Sequence, residues 1–359
     1  MLNLWGTVYA VGMNDGERRL EPEADLDWCH EAVQDVSRTF AITIDQLDGE
    51  AADAICVGYL LCRVADTVED AGHMPADEQS SLLRTYERTL DPDDDVAVPA
   101  FMDEVDPWIP ESPDADWRVV ANTPRIVATF LSLPEETRGA LLDPVLELVA
   151  GMAEFVDRYA VAGGLRIECV DELEEYCWYA AGTVGALITN LLARDAGEED
   201  TATMRETAES FALLLQLVNV AKDVGDDYRE ENNVYLPAEW LADEGVDQEE
   251  LLAPENADAV AAVVERLARR AESYVDDAIR YLQAMPEARG NRLSAWAIPC
   301  LLAVGTIREL LANPDDVLEG DVKVSRNEVY AIVERFEHGV SRDELPVLRE
   351  RIAAEPFTG

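Results

Sequence analysis

Lysine is nearly absent from this chain of 359 residues. Only Lys222 and Lys323 occur, and arginine supplies the other basic residues, so 28 cations face 75 carboxylates and the formal net charge is −47. Self-repulsion of this size destabilises a compact state in dilute salt, whereas concentrated salt screens it. The composition therefore predicts adaptation to a salt-rich cytoplasm. It argues against a nucleic-acid partner, because phosphate contacts require a basic surface.

Histidine and cysteine are also scarce. The three histidines are not spaced as metal ligands, and the six cysteines form no C-x-x-C pair, which favours reduced thiols in a cytosolic protein over disulfides or a zinc site. The first residues lack the basic start and long apolar core of a signal peptide. No stretch reaches the roughly 18 continuous apolar residues of a membrane span. We therefore expect a cytoplasmic protein that is soluble or only peripherally attached to a membrane.

Alternating, strand-like patterns are missing, and apolar residues instead recur at helical spacing. The predicted helical segments are 28–47, 51–70, 134–160, 170–193, 201–230, 256–285 and 292–312. Pro299 predicts a kink in the last of them. Segments near 91–99 and 106–116 are rich in proline and aspartate and are predicted to be loops. Because no linker separates these parts, we expect one all-α domain over 1–359, with its core at about 28–340 and peripheral tails.

Two acidic motifs share one spacing. Asp66 and Asp70 lie four residues apart in "RVADTVEDAG", and Asp223 and Asp227 do so in "NVAKDVGDDYRE". Residues at i and i+4 share a helix face, so each pair points one way. Each pair ends an apolar helical segment, where the helix dipole disfavours negative charge. In so acidic a chain, either motif alone is as compatible with solvated helix surface as with a cation site.

Together, the two motifs and the apolar segments before them predict a combined site. Magnesium binds carboxylates one or two at a time and keeps positions for water and phosphate. Apolar helices leading into such a site would line a deep greasy pocket. These features jointly describe a diphosphate on a long hydrocarbon as the ligand. Arg63 and Lys222 are candidate diphosphate contacts, and the alternative for each is an ion pair with a neighbouring carboxylate.

Six segments, in order along most of the chain, resemble the squalene/phytoene synthase family, the head-to-head branch of the trans-isoprenyl transferases. They are "VSRTFA" (36–41), "DTVED" (66–70), "YCWYAAGTVG" (176–185), "QLVNVAKDVGDD" (216–227), "YLP" (235–237) and "AIP" (297–299). The resemblance implies an all-α isoprenoid synthase fold around a central apolar cavity. It also implies that two prenyl diphosphates, such as farnesyl diphosphate, condense to a cyclopropylcarbinyl diphosphate that then ionises and rearranges.

The resemblance further assigns roles to individual residues. It implies Mg²⁺ bound by Asp66 and Asp70 on one wall and by Asp223 and Asp227 on the other. It places Tyr176 near the reacting carbons, although an ordinary core tyrosine is the alternative. "GTVG" (182–185) would allow close helix packing. Candidate contacts to the substrate diphosphate are Ser37, Arg38, Arg63, Gln216, Asn219, Lys222 and Arg229.

Within the family, three segments are most similar to squalene synthases, which quench the final cation with hydride from NADPH. They are "VSRTFAITIDQL" (36–47), "WAIPCLLAVGTI" (296–307) and "GDVKVSRNEV" (320–329). In the last, Lys323, Ser325 and Arg326 would contact the cofactor phosphate, or simply act as local counter-charges. The alternatives are a phytoene or dehydrosqualene synthase without reductant, and a non-catalytic helical protein that binds partners or cations.

The chain departs from the family pattern in two places. The family's G-R-x-Y-L-P segment has an arginine where this chain has Asn233, and Lys222 stands where arginine is common. Arg229 is the candidate replacement for the missing guanidinium. A lipid-like substrate makes transient membrane contact plausible, whereas the lack of a large cationic amphipathic face argues against strong binding to anionic lipid.

Overall fold

The computed structural model describes residues 24–319 and 322–359, except for the side chains of Arg38 and Thr39. The described residues form α-helices and connecting turns without a β-strand, as expected, and their one extended pairing is an isolated parallel bridge between Arg166 and Val234. The helices are α1 Leu26–Val36, α2 Arg38–Asp45, α3 Gly49–Glu69, α4 Ala76–Leu90, α5 Val98–Val105, α6 Ala115–Ala121, α7 Thr123–Ser132, α8 Glu135–Tyr159, α9 Val170–Cys177, α10 Thr183–Leu192, α11 Glu198–Glu230, α12 Ala238–Asp243, α13 Ala257–Glu272, α14 Val275–Ala284, α15 Leu293–Ala312, α16 Arg326–Glu337 and α17 Leu345–Ala354.

The long helices α3, α8, α11 and α15 organise the bundle. Helix α3 packs against α8, which also contacts α4 and α10, and α11 packs against α10, α13, α14 and α15. Their facing sides supply one continuous apolar core. Burial of this surface is the main force that holds the bundle together. Both acidic motifs lie at the C-terminal ends of α3 and α11.

Two predicted helices are interrupted in the structure. Segment 28–47 breaks at Ser37, whose backbone is extended and whose hydroxyl accepts the Phe40 N–H at the start of α2. Segment 256–285 breaks at Ser273 and Tyr274 between α13 and α14. A hydroxyl that competes for backbone donors explains the first break. The loop predictions were incomplete, because α5 starts at Val98 and α6 at Ala115.

Helix α15 corrects the expectation that no segment could span a membrane. By length and composition Leu293–Ala312 is apolar enough to do so, but 67% of its apolar window is buried in the protein. It packs against α2, α11, α13 and α17, as a central helix of a bundle does. Pro299 lies inside α15 and does not end it.

Gly290, just before α15, is a position where a side chain cannot fit. Its φ is +92°, and a Cβ would lie 1.6 Å from the backbone oxygen of Asp48. We expect Gly290→Ala to lower the free energy of unfolding by about 3 kcal/mol or more, since backbone strain and overpacking add. Gly339→Ala is the matched control, because φ is +84° there but no atom lies within 4 Å. Chemical unfolding should show a clearly larger loss for Gly290→Ala, and equal losses would contradict the clash.

Candidate active site

The structure brings the two acidic motifs together at the ends of α3 and α11. Asp70 caps α3, and its N–H donates to the Asp66 carbonyl over 2.9 Å. Asp70 and Glu231, the residue that directly follows α11, line the same cavity. Burial raises the pKa of Asp227 on α11, and the charge of Asp70 adds to the rise. The predicted juxtaposition of the two helix ends is therefore present in the fold.

The negative charges of these carboxyl groups are poorly balanced by neighbouring cations. Burial raises the pKa of Asp66 to about 7, with Asp70 and Asp116 adding to the rise and Arg63 opposing it. Burial also raises the pKa of Asp227 to about 8, helped by Glu231 and Asp223 and opposed by Lys222. Such shifts mean that the ionised forms lack enough favourable partners in the protein alone. A bound cation would supply the missing partner.

Two further carboxylates belong to this cluster, and the sequence reading assigned them no role. Burial, together with Asp70, raises the pKa of Glu69 well above its ordinary value, and the same causes raise that of Glu231 to about 7. The signal for Glu231 was available, because it lies four residues after Asp227 and eight after Asp223. We name Asp66, Glu69, Asp70, Asp223, Asp227 and Glu231 the acidic cluster.

The donor set of the acidic cluster fits hard divalent cations. All its ligating atoms are carboxylate oxygens, which Mg²⁺ prefers. Across the described ranges 24–319 and 322–359, no three His, Cys, Asp or Glu side chains converge closely enough to hold a metal ion by themselves. An ion held here would take one or two carboxylates and complete its shell with water and substrate phosphate.

The predicted cationic contacts differ in placement. Arg63 donates from Nε to Oδ1 of Asp116 over 2.8 Å, so the local ion pair is formed, and it also lies close enough to Asp66 to oppose its raised pKa. Lys222 pairs with Asp223. Both cations thus lie beside the acidic motifs.

Arg229, the predicted replacement for the missing arginine, makes its contacts away from the acidic cluster. Its Nη1 lies 3.6 Å from Asp226 Oδ1, and its Nη2 donates to the Leu318 carbonyl. Arg229 follows Asp227 by two residues, and residues two apart point to nearly opposite sides of a helix. The guanidinium therefore lies against the segment that follows α15.

The remaining predicted diphosphate contacts are less closely tied to the cluster. Burial raises the pKa of Tyr59, and Arg63, Ser37 and Asp66 all act on that phenol, so Ser37 lies near the first motif. The side chain of Arg38 lies outside the described part. Gln216 is half-buried and Asn219 exposed, seven and four residues before Asp223 on α11. Their spacing keeps them on the face that carries Asp223.

Tyr176 lies in a buried aromatic group beside the acidic cluster. Its hydroxyl is 3.2 Å from that of Tyr235, and its ring meets Phe155 edge-on at 5.3 Å. Burial, followed by the charge of Glu69, raises the pKa of Tyr176 well above its ordinary value, so the phenol stays protonated. A π-helical turn, Trp178–Gly182, follows directly. Such turns occur frequently at functional sites.

Glycines permit close packing around this aromatic group. A Cβ on Gly151 of α8 would lie 2.1 Å from the Tyr179 ring, so only glycine leaves room for that ring. A Cβ on Gly185 would lie 3.1 Å from the Ala212 Cβ, where α10 meets α11. The predicted role of "GTVG" in close helix packing is consistent with the second contact.

A cavity of about 590 Å³ opens beside both features. Its lining includes Glu69, Asp70 and Glu231 of the acidic cluster together with Phe155, Val156 and Tyr159. The pocket predicted to be greasy is therefore of mixed character, because acidic side chains line it as well as aromatic and aliphatic ones. It can accept a ligand that is anionic at one end, given a cation, and apolar at the other.

The predicted reductant contacts lie elsewhere. Ser325 caps α16 by accepting the Glu328 N–H, and Lys323 and Arg326 are exposed. None of the three lines the 590 Å³ cavity. The structure thus does not bring this segment into the acidic cluster.

The raised carboxyl pKa values make stability depend on pH. A carboxyl whose pKa is near 8 when folded and near 4 when unfolded binds a proton more tightly in the folded state, so stability falls as pH rises between those values. We expect metal-free protein in high KCl to resist urea better at pH 6 than at pH 8. Surface carboxylates of ordinary pKa are ionised at both values and contribute little to the difference. Asp227→Asn should have a shallower slope, and parallel slopes would contradict this origin.

Comparison with known proteins agrees with this architecture. The family profile described as "Squalene/phytoene synthase" matches residues 33–328. Squalene synthase 1 of Arabidopsis thaliana is 27% identical over 322 residues, covering 89% of this chain and 73% of that protein. The squalene synthase of Homo sapiens is 27% identical over 330 residues, with the same coverage.

Two solved structures share the fold at low sequence identity. The complex of TcSQS with the ligand BPH1237 superposes with a TM-score of 0.73 at 21% identity, covering 92% of this chain and 97% of that one. A dehydrosqualene synthase in complex with a ligand gives 0.61 at 22% identity, covering 87% and 95%. The isoprenoid synthase fold is therefore confirmed, and the chain belongs to the squalene/phytoene synthase family, whose members are enzymes of the prenyltransferase type.

Proposed function

We propose that this protein is a squalene synthase, which joins two farnesyl diphosphates head to head and reduces the product with NADPH. The observation that carries the proposal is a cavity lined both by Glu69, Asp70 and Glu231 of the acidic cluster and by aromatic and aliphatic side chains. The related proteins named squalene synthase in plants and animals favour this branch. The proposed location is a salt-rich cytoplasm, because of the net charge of −47.

Asp66, Asp70, Asp223 and Asp227 would hold Mg²⁺. When bound, the metal neutralises the diphosphate and makes it a better leaving group. Arg63 lies beside this position and can share its charge with the substrate, although Asp116 is its partner in the structure. Lys222 pairs with Asp223 in the structure, and it can exchange that carboxylate for a phosphate oxygen when substrate binds.

The aromatic and aliphatic lining would protect the carbocation that ionisation leaves. Phe155 and Val156, which line the cavity, would exclude water and so prevent hydrolysis of a reactive carbon. Tyr176 remains a neutral phenol, and its hydroxyl is hydrogen-bonded to that of Tyr235. While both hydroxyls stay protonated, the pair places no negative charge near the cation.

Product analysis tests the branch of the family. Farnesyl diphosphate and Mg²⁺ in molar KCl, with and without NADPH, should give squalene only when NADPH is present. Dehydrosqualene irrespective of NADPH, or turnover only with geranylgeranyl diphosphate, would instead support the carotenoid branch, which the similar dehydrosqualene synthase fold also accommodates. No product under any condition would favour the non-catalytic alternative.

The reductant segment has its own test. If Lys323 and Arg326 contact the cofactor phosphate, replacing both with alanine should raise the KM for NADPH about tenfold and leave the first condensation unchanged. Arg205→Ala removes another exposed cation, from the N-terminal half of α11, and serves as the control. An unchanged KM for NADPH in the double variant would assign the segment to plain surface.

A further inference from the structure

Asn233 occupies the position where the family pattern has arginine, and its side chain is only 7% exposed. Its Oδ1 accepts the Leu165 N–H over 2.8 Å. Its Nδ2 donates to Oε2 of Glu231 over 3.2 Å and to the Tyr235 hydroxyl over 3.3 Å. Its backbone N–H donates to the Asp227 carbonyl over 3.1 Å.

These contacts connect two residues that line the cavity with the neighbouring tyrosine pair. Glu231 belongs to the acidic cluster, and Leu165 is a cavity-lining residue that follows α8. The hydroxyl of Tyr235 is hydrogen-bonded to that of Tyr176. Asn233 itself also lines this cavity. A single amide group therefore contacts the acidic cluster, through Glu231, and the tyrosine pair, through Tyr235.

We propose that Asn233 is a positioning residue of this site, whose amide holds the Glu231 carboxylate and the Tyr235–Tyr176 pair in a fixed relation. The inference rests on the proposed function, in which the acidic cluster binds Mg²⁺ and the tyrosines face the substrate. It goes further by assigning a role to a residue at which this chain departs from the family pattern.

The chemistry of these contacts explains why an amide is suited to this position. The Leu165 N–H requires an acceptor, whereas Glu231 requires a donor. Arginine offers only donors, so it would leave the Leu165 N–H without a partner from this side chain. Aspartate offers only acceptors when ionised, so it would repel Glu231. Asparagine carries one acceptor and two donor hydrogens in a plane and satisfies both.

The test is a double-mutant cycle that measures Mg²⁺ affinity by isothermal titration calorimetry without substrate, in molar KCl. We expect Asn233→Ala and Glu231→Gln each to weaken Mg²⁺ binding about tenfold, the size usual for residues that orient metal ligands. If Asn233 acts through Glu231, the double variant should bind no more weakly than the weaker single variant. Additive losses would overturn the proposal.

A second double-mutant cycle tests the contact between the same amide and Tyr235, with kcat as the measurement. Asn233→Ala and Tyr235→Phe should each lower kcat about tenfold, with non-additive effects in the double variant. The KM for farnesyl diphosphate should change less than kcat, because the tyrosines act on the reacting carbons rather than on the diphosphate. Additivity in kcat would overturn the link to the tyrosine pair.

Asn291→Ala is the matched control for a merely structural role. Asn291 is also buried and accepts the indole N–H of Trp296 over 2.7 Å, but it is not a cavity-lining residue. This variant should lose stability while its folded fraction binds Mg²⁺ normally. An equal loss of affinity in Asn291→Ala would overturn the proposal.

Wild-type protein that neither binds Mg²⁺ nor turns over substrate would refute the proposed function itself. If the wild-type protein behaves normally and Asn233→Ala is unaffected, only the positioning role is refuted.

Discussion

Asp70→Asn is expected to lower turnover by about a thousandfold or more while leaving the helical fold intact. Asp70 caps α3, lines the 590 Å³ cavity and acts electrostatically on both Asp227 and Glu231. It is therefore the carboxylate that links the two motifs. An amide has similar shape but no charge to hold a divalent cation, and loss of electrostatic stabilisation of the leaving diphosphate costs orders of magnitude in rate.

The same substitution should stabilise the metal-free protein at neutral pH. Burial raises the pKa of Asp70, which shows that its ionised form is held at a cost in the folded state. Asparagine removes that cost, and Arg63 keeps its partner Asp116. We expect a higher urea midpoint for metal-free Asp70→Asn than for wild type, and little further rise when Mg²⁺ is added. An active site that gains stability when its function is removed is a known trade-off.

Asp226→Asn is the control for removal of one negative charge from the same acidic run. Asp226 is exposed and lies 3.6 Å from Arg229. Its replacement should leave turnover and Mg²⁺ affinity near wild type. Normal turnover in Asp70→Asn, or an equal loss in Asp226→Asn, would refute the role of the acidic cluster. Turnover is measured as product formed under saturating Mg²⁺, and helical content by circular dichroism.

The sequence was sufficient to predict the helical bundle and the placement of both motifs. Apolar periodicity depends on local geometry, so it located α3 and α11 closely, and the i, i+4 spacing placed each aspartate pair on one face. Helix interruptions were harder to predict, because a break such as that at Ser37 hardly changes the spacing of the apolar residues. The break depends instead on a single capping hydrogen bond from the Phe40 N–H to the Ser37 hydroxyl. The short helices α5 and α6 carry too few turns for a clear period.

Contacts between segments distant in sequence could not be read from spacing. That Asn233 contacts Leu165, and that Tyr235 meets Tyr176, depends on how the turn after α11 packs against the segment after α8. The contact of Arg229 could not be predicted either, since its long side chain hydrogen-bonds the Leu318 carbonyl, after α15, and not the acidic motif next to it in the sequence. Helical spacing gives the direction in which a side chain leaves the backbone, but tertiary packing decides its partner.

Glu328→Ala is expected to be the most destabilising of the charge substitutions. Glu328 is 2% exposed and receives both terminal nitrogens of Arg308, at 2.9 and 2.8 Å, and the backbone N–H of Phe357 at 2.9 Å. It thereby joins α15, α16 and the segment after α17. Its removal leaves a largely buried guanidinium without its main partner, which costs about 3–5 kcal/mol in free energy of unfolding.

Glu309→Ala isolates the effect of burial on the same arginine. Glu309 also accepts from Arg308 Nη2, over 2.6 Å, but 30% of its side chain is exposed, and partly solvated pairs contribute about 1 kcal/mol or less. Urea unfolding should therefore separate the two alanine variants by about 2 kcal/mol or more. Replacing both Arg308 and Glu328 with leucine should cost less than Glu328→Ala alone, because it leaves no unpaired charge. If the double replacement were the more destabilising, the ion pair would contribute net stability, and the loss in Glu328→Ala would not come from the abandoned arginine.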